Sequence, residues 1–270
     1  MLTVCNIPVN PPNAPSLIQD LLVAHGDALS VRAICRTGAL INVQESAIRV
    51  ALNRLAANGK ISISCRGWYV MNSSAISRAV DTWQHNKKQL PVWSGNWLAV
   101  HDAGVLKSDK TVWRHHNLAL ALSGFRLFQP GLHLRPDNLP GGVHAMRLQL
   151  QELGLAPQAA VFQLKQLDAD RQAQALTLWN TISSEYEQIR AALKQSSRHF
   201  RHGKLEDCVR ESLLLGRAVI SRLVRDPLLP DELASISLHV ELTKETKTYQ
   251  QQARKLWQTW LSTEPDTDKD

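Results

Sequence analysis

Paired cysteines are absent from this chain. Cys5, Cys35, Cys65 and Cys208 show no C-x-x-C spacing and no Cys/His ligand spacing, so free, buried thiols in a reducing compartment are the expectation. Long apolar runs are absent as well. No window reaches the ~18 uninterrupted apolar residues that a membrane-spanning helix needs. The opening residues, M-L-T-V-C-N-I-P-V-N-P-P, lack a basic region followed by an apolar run, so no secretory signal is expected. A soluble, cytoplasmic protein without a membrane partner follows as the expectation. P-loop, G-x-G-x-x-G, nucleophile-elbow and H-E-x-x-H motifs are all missing. The chain is therefore read as a non-enzyme without a cofactor. It has no internal repeat and no low-complexity tract.

What it has in excess is positive charge, unevenly placed. The 270 residues carry a formal net charge of +7 and a pI near 9.4. Residues 1–75 contribute +3, residues 76–150 contribute +5, and the remainder contributes −1. The first half would attract a polyanion. Many soluble proteins carry such a charge without binding nucleic acid, so the pattern of residues must decide.

Local punctuation divides the chain into parts. Residues 1–15 are rich in Pro and Asn and read as a flexible N-terminal arm. Ser16 can cap a helix carrying Leu17, Ile18, Leu21 and Leu22, stopped near Gly26. Ser30 can cap a second, ended by Gly38, and Asn42–Asn58 is a third. Ile61–Met71 alternates about Arg66-Gly67 as a β-hairpin does. Residues 16–73 thus form one domain, and 74–92 read as a linker helix. From Trp93, strands at Trp97–His101, Phe125–Gln129, Gly131–Arg135 and Ala159–Leu164 enclose helices at Thr111–Ser123 and Val143–Leu153. This β-α-β-β-α-β order over 93–166 is that of a ferredoxin-like sandwich. Residues 167–262 read as a helical C-terminal domain, with helices from Asp168, over Leu205–Val224 and over Thr243–Leu261. Residues 263–270 are a charged, disordered tail. The fold class is α+β.

The third helix is the most informative segment. At ~100° per residue, Ala47, Ile48, Ala51, Leu52 and Leu55 fall on one apolar stripe. Asn42 and Glu45 make a capping pair at its start, and Asn58-Gly59 end it. Its other face offers Ser46, Arg49, Val50 and Asn53. Arg can bond guanine O6 and N7, and Asn can bond adenine N6 and N7 in a major groove. Arg54, Lys60 and Arg66 are placed for phosphate. Trp68 and Tyr69 are expected to pin the hairpin to the core. Helices followed by such a hairpin read as a winged helix-turn-helix, with double-stranded DNA as partner.

These residues resemble the PaaX-like family, repressors of phenylacetic acid degradation. Glu45 to Gly59, E-S-A-I-R-V-A-L-N-R-L-A-A-N-G, is similar to the family's E-x-A-V-R-x-A-L-x-R-L-x-x-x-G. Gly124 to Gly131, G-F-R-L-F-Q-P-G, and Arg225 to Leu233, R-D-P-L-L-P-D-E-L, resemble two further family segments. The likeness spans about residues 16–261. His133 stands where the family has a strand Trp. Arg217, Val219 and residues 236–240 replace its His-rich and W-P-G patterns. The resemblance implies an operator-binding repressor of a catabolic operon, a homodimer, released by an aryl-acyl-CoA effector. Ser46, Arg49, Asn53 and Arg54 carry over; no effector-binding residue does.

Other chemistry must be weighed beside this. The family's central domain resembles the CRISPR-associated Cas2 fold, in which an Asp near the end of the first strand serves a metal-dependent nuclease. Asp102 holds that place, so a Mg²⁺-dependent nuclease is the alternative reading. The plainer reading is an Asp capping the next segment. His115-His116 diverge on their helix. His199-x-x-His202 has a usable metal spacing but sits in S-R-H-F-R-H-G-K without a carboxylate or cysteine close by in sequence. No metal site is expected. Trp179, Trp257 and Trp260 are either an aromatic pocket or helical core.

Overall fold

Cys5 and Asn6 open the fold with backbone φ of 48° and 66°, the paired left-handed conformers of a two-residue hairpin turn. They join β1 (Leu2–Val4) to β2 (Ile7–Val9) in an antiparallel pair. Val9 is buried in the core. The segment expected to be a flexible arm is therefore an ordered hairpin over these residues. Its turn contains no Gly, and Pro8 interrupts the alternation, so the pattern did not declare itself. The computed structural model describes residues 2–72 and 92–262. The linker helix expected at 74–92, apart from Val92, and the tail expected at 263–270 lie outside the described residues.

Three helices follow, with corrected starts. α1 (Ala14–His25) is capped by Asn13, whose Oδ1 accepts the Ser16 N–H at 3.0 Å. Ser16, the expected cap, lies within the first turn. α2 (Val31–Ala39) begins as expected, with Ser30 Oγ accepting the Ala33 N–H at 3.1 Å. Gly38 does not end it. A Cβ there would lie 2.4 Å from Ile48 Cδ1 and 3.3 Å from the Val43 carbonyl oxygen, so this glycine lets α2 and the next helix approach. α3 (Glu45–Ala57) is preceded by Gln44, which makes no side-chain cap bond. The expected Asn42–Glu45 capping pair does not form. Asn42 has φ 60° and belongs to the turn closing α2, its N–H reaching the Ala39 carbonyl at 3.2 Å. Ile48, Ala51, Leu52 and Leu55 are buried on α3, whereas Ala47 is exposed.

These helices share one core with Ile34 of α2 and Leu17, Ile18 and Leu22 of α1. Each fully buried Leu or Ile contributes about 1.5–3 kcal/mol. β4 (Ile61–Cys65) and β5 (Trp68–Met71) form the expected hairpin about Arg66-Gly67. A two-residue strand, β3 (Leu29–Ser30), extends it in the order β3–β5–β4. Tyr69 packs on the core, but Trp68 is 44% exposed and does not pin the hairpin.

The four-stranded sheet is antiparallel throughout, in the order β7–β8–β6–β9. Its strands are β6 (Trp97–His101), β7 (Arg126–Gln129), β8 (Leu132–Pro136) and β9 (Ala160–Leu164). α4 (Lys110–Leu122) and α5 (Gly142–Glu152) connect them. Asp109 caps α4 by accepting the Thr111 and Val112 N–H groups. Leu98 and Val100 of β6 share a core with Leu120 of α4 and Leu150 of α5. All bounds lie within a residue or two of expectation, because short alternating strands and Gly-ended helices announce themselves.

The C-terminal part is helical: α6 (Ala169–Leu176), capped by Asp168, then α7 (Ile182–His199), α8 (Leu205–Val224) and α9 (Ile236–Ser262). α9 starts seven residues before the expected Thr243. Its first residues alternate as a strand would, and Asp231 Oδ1 accepts the Ile236 N–H at 2.9 Å. The fold is a mixture of helices with three small antiparallel sheets.

The compact units do not coincide with the expected boundaries at 16–73, 93–166 and 167–262. One unit joins residues 1–84, 188–220 and 243–270; the other joins 85–187 and 221–242. α7, α8 and α9 are thus each divided between the two. Helical periodicity reveals that a face is buried, but not against what. The tryptophans divide likewise. Trp179 stacks on Trp97 in the second unit, with ring centroids 5.8 Å apart, and Trp257 and Trp260 belong to the first.

Candidate nucleic-acid interface

α3 buries one stripe in the first unit and leaves the other in solvent. Ser46, Arg49, Val50, Asn53 and Arg54 are all exposed. Their spacings of three and four put them on one side of a 3.6-residue helix. Lys60 follows α3 directly, and Arg66 sits at the tip of the β4–β5 hairpin; both are exposed. The structure thus brings Ser46, Arg49 and Asn53 together on one face, while Arg66 lies on a separate element.

Arg49 is not free on that face. Its Nε donates to Glu45 Oε1 at 2.8 Å, one turn back. The carboxylate raises the Arg49 pKa, so the guanidinium is a permanent cation held in a defined direction. Such an exposed pair contributes little to stability; its effect is orientation. An open groove of about 820 Å³ runs beside it, lined by Ser30, Arg32, Cys35, Arg36, Arg49 and Gly67 among others. Arg32 lies in the first turn of α2, beyond the residues that sequence reading selected. Spacing on α2 alone could not tell it from a solvated arginine.

The start of the interface is braced from behind by the end of α9. Trp260 Nε1 donates to Thr37 Oγ1 at 3.2 Å, the Arg36 guanidinium donates to the Trp260 carbonyl, and it also lies 4.2 Å from the indole centroid. Trp257 Nε1 donates to Ser212 Oγ of α8 at 3.1 Å. Arg217 of α8 pairs with Asp20 of α1. α9 thus holds α2, and α8 holds α1.

The second unit holds a different cluster. Asp102, expected as a cap of the next segment, is buried, and its Oδ2 lies 3.0 Å from His116 Nε2 and 3.5 Å from His133 Nδ1. His116 Nδ1 accepts the Ala156 N–H at 3.3 Å. Its proton therefore sits on Nε2, which donates to Asp102. A nitrogen carrying that proton cannot ligate a metal, since a ligating histidine donates from its other nitrogen. Among the described residues no group of three or more His, Cys, Asp and Glu is placed to hold a metal ion. The arrangement makes Asp102 a partner of two histidines from other elements.

Burial pushes the His133 pKa below its ordinary value; Asp102 opposes this and His116 adds to it. A base with a lowered folded pKa gives stability above its unfolded pKa, lost as pH falls towards the folded value. Urea midpoints of the native protein should therefore drop as pH falls below 6.5. In His133→Gln that drop should be smaller. An identical pH dependence in the two proteins would remove His133 as its source.

The basic stretch after α7 also differs from expectation. His199 Nδ1 lies 2.9 Å from Glu211 Oε2, so a carboxylate from α8 does stand beside it. Cys5 Sγ also approaches Glu211, at 3.9 Å, and burial followed by that carboxylate pushes its thiol up to about 11. All four cysteines are free, but of the four only Cys208 is buried; Cys5 and Cys35 are half-buried and Cys65 is exposed.

The fold has a solved relative. The uncharacterized protein Rv0674 from Mycobacterium tuberculosis matches with a TM-score of 0.57 and 19% sequence identity, over 92% of this chain and 98% of that one. At this identity the likeness speaks for the fold alone. No family model matches the chain, and no curated protein matches it. The family resemblance rests on the motifs that suggested it.

Proposed function

We propose that this chain is a DNA-binding transcriptional regulator. In this reading α1 to α3 and the β4–β5 hairpin form a winged helix-turn-helix, and α3 reads an operator in the major groove. The observation that carries it is the solvent-facing row of Ser46, Arg49 and Asn53 on a helix whose opposite stripe is buried. Two further observations support it. The hairpin follows α3 directly, as a wing must, and Arg32 and Arg49 line the adjoining groove.

The second unit supports a ferredoxin-like reading through its strand order and its two connecting helices. The regulatory half of the proposal draws on the sequence resemblance: a dimeric repressor whose aryl-acyl-CoA effector favours a geometry mismatched to half-sites ~34 Å apart.

Fluorescence anisotropy on duplexes selected from a random-sequence pool tests the reading. Arg49→Ala and Asn53→Ala should each weaken binding by about 10-fold or more and relax base preference at one position, as loss of a bidentate contact does. Lys60→Ala and Arg66→Ala should weaken all sequences alike and flatten the salt dependence. Unchanged affinity and unchanged base preference in both α3 variants would exclude α3 as the reader.

A further inference from the structure

Val50 is 68% exposed, on the same face as Arg49 and Asn53. Two local preferences oppose it. A β-branched side chain is a poorer helix residue than alanine, and an exposed valine gains nothing from the core. An exposed β-branched residue set in a polar helix face is suited to an apolar contact outside its own chain. Its helical neighbours three and four positions away are Ser46, Ala47, Asn53 and Arg54, all exposed. Ala47 adds a second methyl beside it, so the face carries an apolar strip between polar side chains.

We propose that Val50 is a specificity-determining residue that recognises the 5-methyl group of thymine. This deepens the operator-binding reading and rests on it. Among the four base edges of the major groove, thymine alone presents a methyl group, and a short apolar side chain is its complement. Val50 is short, and its place beside Asn53 aims it where base edges would lie. Arg49, held by Glu45, supplies the donors for a guanine at an adjoining position. The favoured half-site thus pairs a guanine with a thymine close by.

The test uses the full-length chain and a duplex selected from a random pool. Each thymine in turn is replaced by deoxyuridine, which removes only the methyl, and affinity is measured for wild type and Val50→Ala. One thymine per half-site should show about fourfold weaker binding by wild type when its methyl is lost, the fold-change of ~0.8 kcal/mol for one buried apolar carbon. Val50→Ala should bind both forms alike. Alanine favours the helix and the site is exposed, so the variant should keep its fold. Two results overturn the proposal: wild type indifferent to every methyl, or Val50→Ala keeping its full discrimination. In either case a selected duplex that still responds to Arg49→Ala leaves operator binding standing. A pool that yields no preferred sequence removes both.

Discussion

Arg135→Met should lower the unfolding free energy of the protein by about 3 kcal/mol, read from urea denaturation at neutral pH. Arg135 lies on β8 with its guanidinium wholly buried. Nη1 donates to the Ser123 carbonyl at 2.5 Å and Nε to the Pro136 carbonyl at 3.2 Å. Nη2 reaches Asn138 Oδ1 at 3.2 Å and the Pro227 carbonyl at 3.3 Å. Burial pushes its pKa down to about 10, against the pull of Asp137, so at neutral pH it is still charged. Methionine matches the stem but strands those acceptors, at ~1–3 kcal/mol for each buried one left unpaired. Relief from burying a charge offsets part of that loss. Lysine should rescue little, because three donors on one nitrogen cannot reproduce the planar fork. Native stability in Arg135→Met would show that the carbonyls find other partners.

Gly124→Ala should cost a similar amount, about 3–4 kcal/mol. Gly124 ends the turn after α4 with φ 77°, where an L side chain adds ~1–2 kcal/mol of strain. An added Cβ would also stand 2.6 Å from Pro227 Cβ and 2.9 Å from its Cα. The second contact is backbone and cannot swing aside, which adds overpacking of ~1–3 kcal/mol. Gly216→Ala is the control. It lies within α8 with nothing near its Cβ position, so alanine there should stabilise by about 1 kcal/mol. Equal responses at the two glycines would refute the close-approach argument.

Both predictions converge on the loop after α8. Asn138 Nδ2 donates to the Leu228 carbonyl at 2.7 Å, and Tyr186 Oη donates to Asp226 Oδ2 at 2.6 Å. The R-D-P motif is therefore anchored from β8, from the residues after it and from α7. In the sequence R-D-P-L-L-P-D-E-L stands out as a motif, but nothing in it shows what holds it.

That difference marks what was legible. Trp97–His101 and Leu205–Val224 match their expected bounds to the residue, the strand as a short apolar run buried on both faces and the helix by its single strong period. The buried stripe of α3 was likewise legible at Ile48, Ala51, Leu52 and Leu55. Its capping was not, since Asn42 fits a capping pattern in sequence yet closes the preceding helix. Asp102 just past β6, His116 on α4 and His133 on β8 meet across elements, and no periodicity announces a buried polar contact. Arg135 was unreadable for the same reason. The polar row on α3 was visible because exposure follows directly from helical phase. The direction of Arg49 needed Glu45 in place.

The brace formed by Trp260 on Thr37 and Arg36 bears on how the protein is made. On the ribosome, residues 1–84 emerge long before their supporting helices exist. The α2–α3 segment must wait, tethered through a chain of more than a hundred residues, for the last turn of α9 to appear. Closing so long a tether delays assembly. A product stalled before Trp260 would carry the whole polar face of α3 and lack the Trp260 contacts on Thr37 and Arg36.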